Sequence, residues 1–239
     1  MTPETIRSVI ETNLRDVRGQ IAAAQARSEN AADVVQVVAV TKYANWDWVQ
    51  ALSSLHDVFG ENRPQQLAER QNLMPRMQWH LIGQLQRNKA RLAVSHASVI
   101  HSIDSIRLLA RIVEIASENR SESCPSLLLQ VNVTGEASKS GFSPDELRST
   151  WDEILAFSGS VPIVGLMTMA EDTDDPGEAR PAFTALRLLR DELAERSNSS
   201  GTALPLPHLS MGMSGDFVPA VEEGATLVRI GSRLFQGLE

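Results

Sequence analysis

Cys124 is the one cysteine in 239 residues. It excludes an intramolecular disulfide and a multi-cysteine metal site, and is read as a buried or incidental thiol. Tyrosine is as scarce, with Tyr43 alone, and aromatic residues make up 5% of the chain. Basic side chains are outnumbered 22 to 30, which leaves a formal charge of −8. A surface of that sign, with no basic run longer than two residues, repels nucleic acid and anionic membranes. No apolar stretch is long enough to span a bilayer, and the amino terminus carries no charged–apolar–small signal. The expectation is a cytoplasmic protein and, with no evident apolar patch, a monomer. No two histidines stand at metal-ligand spacing, so no metal is expected. There is no G-x-S-x-G elbow to make a hydrolase of the serines near histidines.

What is present alternates. Short apolar runs at Val34–Thr41, Asp57–Gly60, Met77–Gly83, Ser98–Ile103, Ser126–Val133, Ile163–Met169, His208–Met211 and Thr226–Gly231 predict strands. Amphipathic stretches between them predict helices over Asp47–Leu55, Arg63–Leu73, Leu85–Val94, Ser105–Glu118, Pro144–Phe157, Glu178–Arg196 and Asp216–Glu222, with a short one from Ser232. Residues 1–30 predict a further amino-terminal helix, opened by Thr2-Pro3-Glu4 and packed on the main domain. Eight strands, each followed by a helix, over about two hundred residues fit one α/β domain, a (β/α)8 TIM barrel, spanning 1–239. An open doubly wound sheet is the alternative, but its usual glycine-rich first turn is absent from VTKYANWD.

In either fold, ligands bind at the carboxyl ends of the strands. The first strand ends at Lys42, before a helix that Asn45 is placed to cap. A lysine there is either a solvated end marker or a partly desolvated amine able to attack a carbonyl. Ser210–Ser214 and Gly231–Ser232 follow the last two strands, where glycines and serines before short helices suit a phosphate or other anion. They also suit ordinary turns. Arg229 interrupts the apolar LVRIG, and a strand arginine needs a salt bridge or a ligand. Together these residues describe a pocket for a phosphorylated aldehyde, with Lys42 as the Schiff-base partner and Arg229 facing a ring nitrogen. His80 in QWHLIG has the surroundings of a structural histidine, and His101 and Asp104 could pair locally.

The motifs VAVTK (38–42), FGEN (59–62), WHLIGQLQRNK (79–89), HSIDS (101–105), QVNVTGEASKSGF (130–142), GLMTM (165–169), LSMGMSGDF (209–217) and VRIGSRLF (228–235) occur in order along the whole domain. With them the chain resembles the YggS/PROSC family of pyridoxal phosphate homeostasis proteins. The resemblance implies the barrel of the alanine racemase N-terminal domain type, without the racemase's second domain. It implies pyridoxal 5'-phosphate as a Schiff base on Lys42, its phosphate on Ser210, Ser214, Gly231 and Ser232, and Arg229 at the pyridine nitrogen. Asn62 and Met211 would line the pocket; His80 and the loop residue Lys139 would be secondary. Two positions depart from the family pattern: Gln84 replaces a histidine, and Ala44 stands where a second lysine is common. The implied role is a carrier that supplies apo enzymes dependent on this cofactor. A racemase is the alternative, but it needs a second base opposite Lys42. Tyr43, pointing away from Lys42 if strand alternation persists, is a poor candidate for that base.

Overall fold

The computed structural model describes residues 1–118, 124–136, 140–171, 173 and 175–238. Eight parallel strands close in sequence order into one barrel: β1 Gln36–Val40, β2 Val58–Glu61, β3 Gln78–Leu81, β4 Val99–Ile103, β5 Ser126–Gln130, β6 Ile163–Met167, β7 His208–Met213 and β8 Leu227–Ile230. Pairing of β1 with β8, from Gln36 on Leu227 to Ala39 on Ile230, completes the ring. This is the expected TIM barrel. All eight expected strands form, most of them shorter than their apolar runs. Around the ring run α1 Pro3–Gln25, α2 Trp46–Ser53, α3 Pro64–Leu73, α4 Ala90–His96, α5 Ile106–Glu118, α6 Pro144–Ser149, α7 Trp151–Phe157, α8 Arg180–Ser199 and α9 Phe217–Glu222. None of the described helices is long and apolar enough to cross a membrane.

Helix boundaries differ where hydroxyls compete with the backbone. The helix expected over Pro144–Phe157 breaks into two at Thr150. There the Ser149 and Thr150 hydroxyls both donate to Glu146 O, at 2.9 and 2.8 Å, and the chain leaves helical geometry. Leu85–Val94 is a 3-10 turn, Arg87–Lys89, before α4. Thr2 caps α1 as expected, its hydroxyl accepting from Thr5 N, whereas Asn45 occupies the cap position of α2 without a side-chain bond.

After β8 the chain makes only a 3-10 turn, Ser232–Phe235. The place of an eighth outer helix is taken by α1, which packs on α2, α9 and that turn. Ile6, Ile10, Leu14, Val17 and Ile21, at helical spacing, are buried there. Asn13 Nδ2 ties the helix to Leu234 O and Gln236 O at 3.1 and 2.9 Å.

Most of the core lies between barrel and helices. A separate cluster of Val38, Val58, Leu128, Met167 and Leu227 fills the barrel interior. By strand alternation, Arg229 shares the interior with Leu227, and His101 shares it with Val99. The interior is therefore apolar at its floor and polar toward the strand ends.

Leu14→Ala should cost about 2–5 kcal/mol, because the cavity opens in a seam that no second helix covers. Urea unfolding should show a lower midpoint with an unchanged slope.

Candidate active-site pocket

The strand ends surround an open cavity of about 1140 Å³, lined by Lys42, Asn62, Ser214, Arg229, Gly231 and Ser232 among others. Six of the expected site residues thus line one cavity. Ser210, Met211 and His80 do not reach it. Ser210 and His80 point into the barrel interior, and Met211 is buried among the outward-facing core residues. The strand runs on to Met213, two residues past its expected end, so alternation turns Ser210 inward below the rim. Lys139 lies outside the described residues.

Lys42 sits on a short turn just past β1, and its Nζ lies 5.0 Å from the centre of the Tyr43 ring. Tyr43 is 87% exposed and lines the same cavity. The expectation that it points away fails because β1 ends at Val40, and strand alternation does not extend through Lys42–Tyr43. The turn is clamped from below. Arg70, from α3, donates through Nη1 to Thr41 O at 2.8 Å and through Nη2 to Ala44 O at 3.2 Å. Those two carbonyls flank Lys42 and Tyr43. Arg70 also pairs with fully buried Glu61, which accepts from the Thr41 hydroxyl at 2.5 Å. Burial pushes the Glu61 carboxyl up, against the pull of Thr41 and Arg70. Sequence reading missed Arg70; its trace is a position three residues after buried Leu67 on α3.

The opposite rim is set by β7 and β8. Ser214 Oγ accepts from Gly231 N at 3.1 Å, joining the two turns. Asp216 Oδ1 accepts from Met213 N and holds the turn into α9. Gly212, at φ +87°, lies where a Cβ would come within 2.5 Å of Ala220 Cβ, so only glycine lets the strand end meet that helix. Gly83 does the same for Asn62, whose backbone a Cβ at that position would strike. Gln84 Nε2 donates to Ser140 Oγ at 2.9 Å and Gln130 Nε2 to Ser140 O at 2.8 Å, holding Ser140 at the cavity edge.

Arg229 is the unusual charge. It is 4% exposed and donates to Ser210 Oγ at 2.6 Å and Thr168 O at 2.9 Å, both neutral. Desolvation brings its guanidinium down to about 10, against the pull of Asp216. No carboxylate lies within ion-pair distance of it among the described residues. A buried cation so placed calls for an acceptor in the cavity. With an amine at Lys42 and hydroxyl and N–H donors at Ser214, Gly231 and Ser232, the wall fits an anionic aldehyde that carries a ring acceptor. Beneath Arg229, His101 and His80 are buried and neutral. Desolvation, aided by His208 and His56, holds His80 down to about 3, and desolvation with His80 and Arg229 nearby holds His101 well below its ordinary value. Among the described residues there is no cluster of three or more histidine, cysteine or acidic side chains that could hold a metal.

Arg70→Met should cost about 3–5 kcal/mol in urea unfolding, because Glu61 is left buried without its cation. His80 has a lowered folded value, so its contribution is whole above the unfolded value of 6.5 and is lost as pH falls toward about 3. Replacing His80 with Leu should therefore flatten the acid limb of a plot of stability against pH across that window.

The family model described as "Alanine racemase, N-terminal domain" matches residues 12–238. A pyridoxal phosphate homeostasis protein of Aquifex aeolicus is 41% identical over 180 residues, 74% of this chain and 75% of that protein. A protein of the same name from Vibrio cholerae is 35% identical over 235 residues, 95% of each. The solved structure of PipY from Synechococcus elongatus PCC7942, described as having PLP bound, superposes with a TM-score of 0.80 at 35% identity. It covers 95% of this chain and 99% of that one. The chain belongs to the alanine racemase N-terminal domain family, and within it to the pyridoxal phosphate homeostasis proteins.

Proposed function

We propose that the chain binds pyridoxal 5'-phosphate as a Schiff base on Lys42 and takes part in holding and delivering that cofactor in the cytoplasm. Apo enzymes that depend on the cofactor are the proposed recipients, and the carrier acts as a monomer. The observation that carries this reading is the convergence of an amine, a buried guanidinium with only neutral partners, and a serine–glycine turn on one cavity. The bound cofactor of PipY and the names of the relatives support it.

Each residue has a task of binding or orientation. The clamped turn presents Lys42 Nζ, which would hold the aldehyde carbon of the cofactor. Ser214 and Ser232 would hold the phosphate through hydroxyl and backbone N–H donors, and Gly231, whose own N–H goes to Ser214 Oγ, would let the backbone come close to it. Ser210 belongs to the same set at one remove, acting through Arg229 rather than on the phosphate. Arg229 would donate to the pyridine nitrogen, and Asn62 lines the same cavity as Lys42. Met211 and His80 contribute support from behind the wall. When bound, the cofactor supplies an electron sink for amino-acid chemistry, but a guanidinium at its ring nitrogen keeps that nitrogen largely unprotonated and the sink weak.

A carrier is favoured over a racemase by the surroundings of Lys42. Tyr43 lies against the Lys42 amine itself instead of across from it. Asp216 is engaged by Met213 N. The volume also exceeds the roughly 300–1,000 Å³ of common ligand pockets, and its open mouth suits exchange more than a protected carbanion.

Purified protein loaded with pyridoxal phosphate should show the absorbance band of the bound cofactor and a borohydride-trapped adduct on the Lys42 peptide. Lys42→Ala should lose both. Racemisation assays over a panel of amino acids should give no turnover with the wild type; robust turnover would replace the carrier by the racemase.

A further inference from the structure

A chain of polar groups runs through the barrel interior behind the cavity wall. Arg229 Nη1 donates to Ser210 Oγ at 2.6 Å. Ser210 Oγ lies 2.8 Å from His101 Nδ1, and His101 Nε2 lies 3.0 Å from His80 Nδ1. All four side chains are buried, and the chain ends at His80 Nε2, which has no hydrogen-bond partner among the described residues. It crosses from β8 through β7 to β4 and β3. Apolar side chains could fill the same space without desolvating two imidazoles and stranding a polar atom. The chain therefore calls for an explanation other than packing.

Proton bookkeeping gives the chain a direction. If protons point away from Arg229, the Ser210 hydroxyl donates to His101 Nδ1, His101 Nε2–H donates to His80 Nδ1, and the His80 Nε2–H alone is stranded. If they point toward Arg229, His80 Nδ1–H and His101 Nδ1–H become the donors. The Ser210 proton then has no acceptor, and the His80 Nε2 lone pair is stranded as well. The first arrangement leaves one buried group unmet and the second leaves two, so the first is favoured.

We propose that His101 and His80 are positioning residues that commit the Ser210 proton away from Arg229. The Ser210 hydroxyl is then locked by its bond to His101 Nδ1, with a lone pair fixed on the guanidinium. With Thr168 O it fixes two of the guanidinium's donors and aims the rest into the cavity. The partner they are aimed at is a neutral ring nitrogen, a step that rests on the cofactor reading above. A carboxylate in the place of Ser210 would orient the guanidinium as well but would cancel its charge. The neutral chain orients the arginine and leaves its positive charge undiminished for the ligand.

Two measurements test this. In the cofactor-free protein, nitrogen-15 NMR should find both imidazoles protonated at Nε2 and bare at Nδ1; protonation at Nδ1 of His101 overturns the proposal. In the same state, His101→Leu should speed exchange of the Arg229 guanidinium protons about tenfold, and His101→Gln, whose amide can both accept and donate, should hold it within about threefold of wild type. With pyridoxal phosphate added, His101→Leu should weaken binding about tenfold while His101→Gln stays within about threefold. Equal behaviour of the two variants, in exchange or in affinity, means a merely structural role and overturns the proposal. If the wild type takes up no cofactor, the cofactor reading fails, and the tautomers and guanidinium exchange still decide the chain.

Discussion

A guanidinium buried to 4% exposure, with a serine hydroxyl and a carbonyl as its partners, is the constraint around which the rest of the site is arranged. Removing such a charge from water is costly, and nearby carboxylates are the usual remedy. Here Asp216 acts only at a distance and is itself engaged by Met213 N. The charge is met instead by dipoles, the Ser210 hydroxyl and the Thr168 carbonyl. That choice keeps the cation's field directed at the cavity, where Lys42, Ser214 and Ser232 also stand. The polar upper half of the barrel interior, with its two neutral imidazoles, follows from the same requirement.

Barrel closure brings these groups together. Parallel pairing in sequence order points every strand end the same way, so residues nearly two hundred positions apart, Lys42 and Arg229, face one space. Lys42 is held differently from Arg229. The arginine is on a strand and takes its direction from the sheet. The lysine lies past its strand, and its turn is held by the Arg70–Glu61 pair, which grips the carbonyls on either side. The buried pair therefore contributes conformational definition where no ladder hydrogen bonds can supply it.

The fold was legible because its signal is local. Runs such as VVAV and SLLLQ are rich in residues that suit a pleated, doubly buried strand, and the helices between them show apolar periodicity. Lys42, Arg229, Ser214, Gly231 and Ser232 were legible as strand-end residues of types that bind an anionic aldehyde. Ser210 shows where this reading runs out. Its face depends on the strand continuing to Met213 with a shift in register against β8, and no residue near it announces that shift. Arg70 was hidden for a related reason: its partners lie on other elements, nine to twenty-nine residues away, and on its own helix it resembles a surface arginine. The break at Thr150 depended on two adjacent hydroxyls competing for one carbonyl.

The docking of α1 has a bearing on how the chain comes into being. The helix is made before all of its partners, yet its buried face rests on α9 and on the turn after β8 as well as on α2, and Asn13 bonds to carbonyls more than two hundred residues later. During synthesis the helix can meet α2 early, but the part of its apolar face that rests on α9 and the last turn stays exposed until those residues emerge. Closure of β1 on β8 waits for the same residues. The amino-terminal helix and the last strand thus join late and together, as a latch across the seam. Contacts of such long range carry the largest loop-closure cost in the fold.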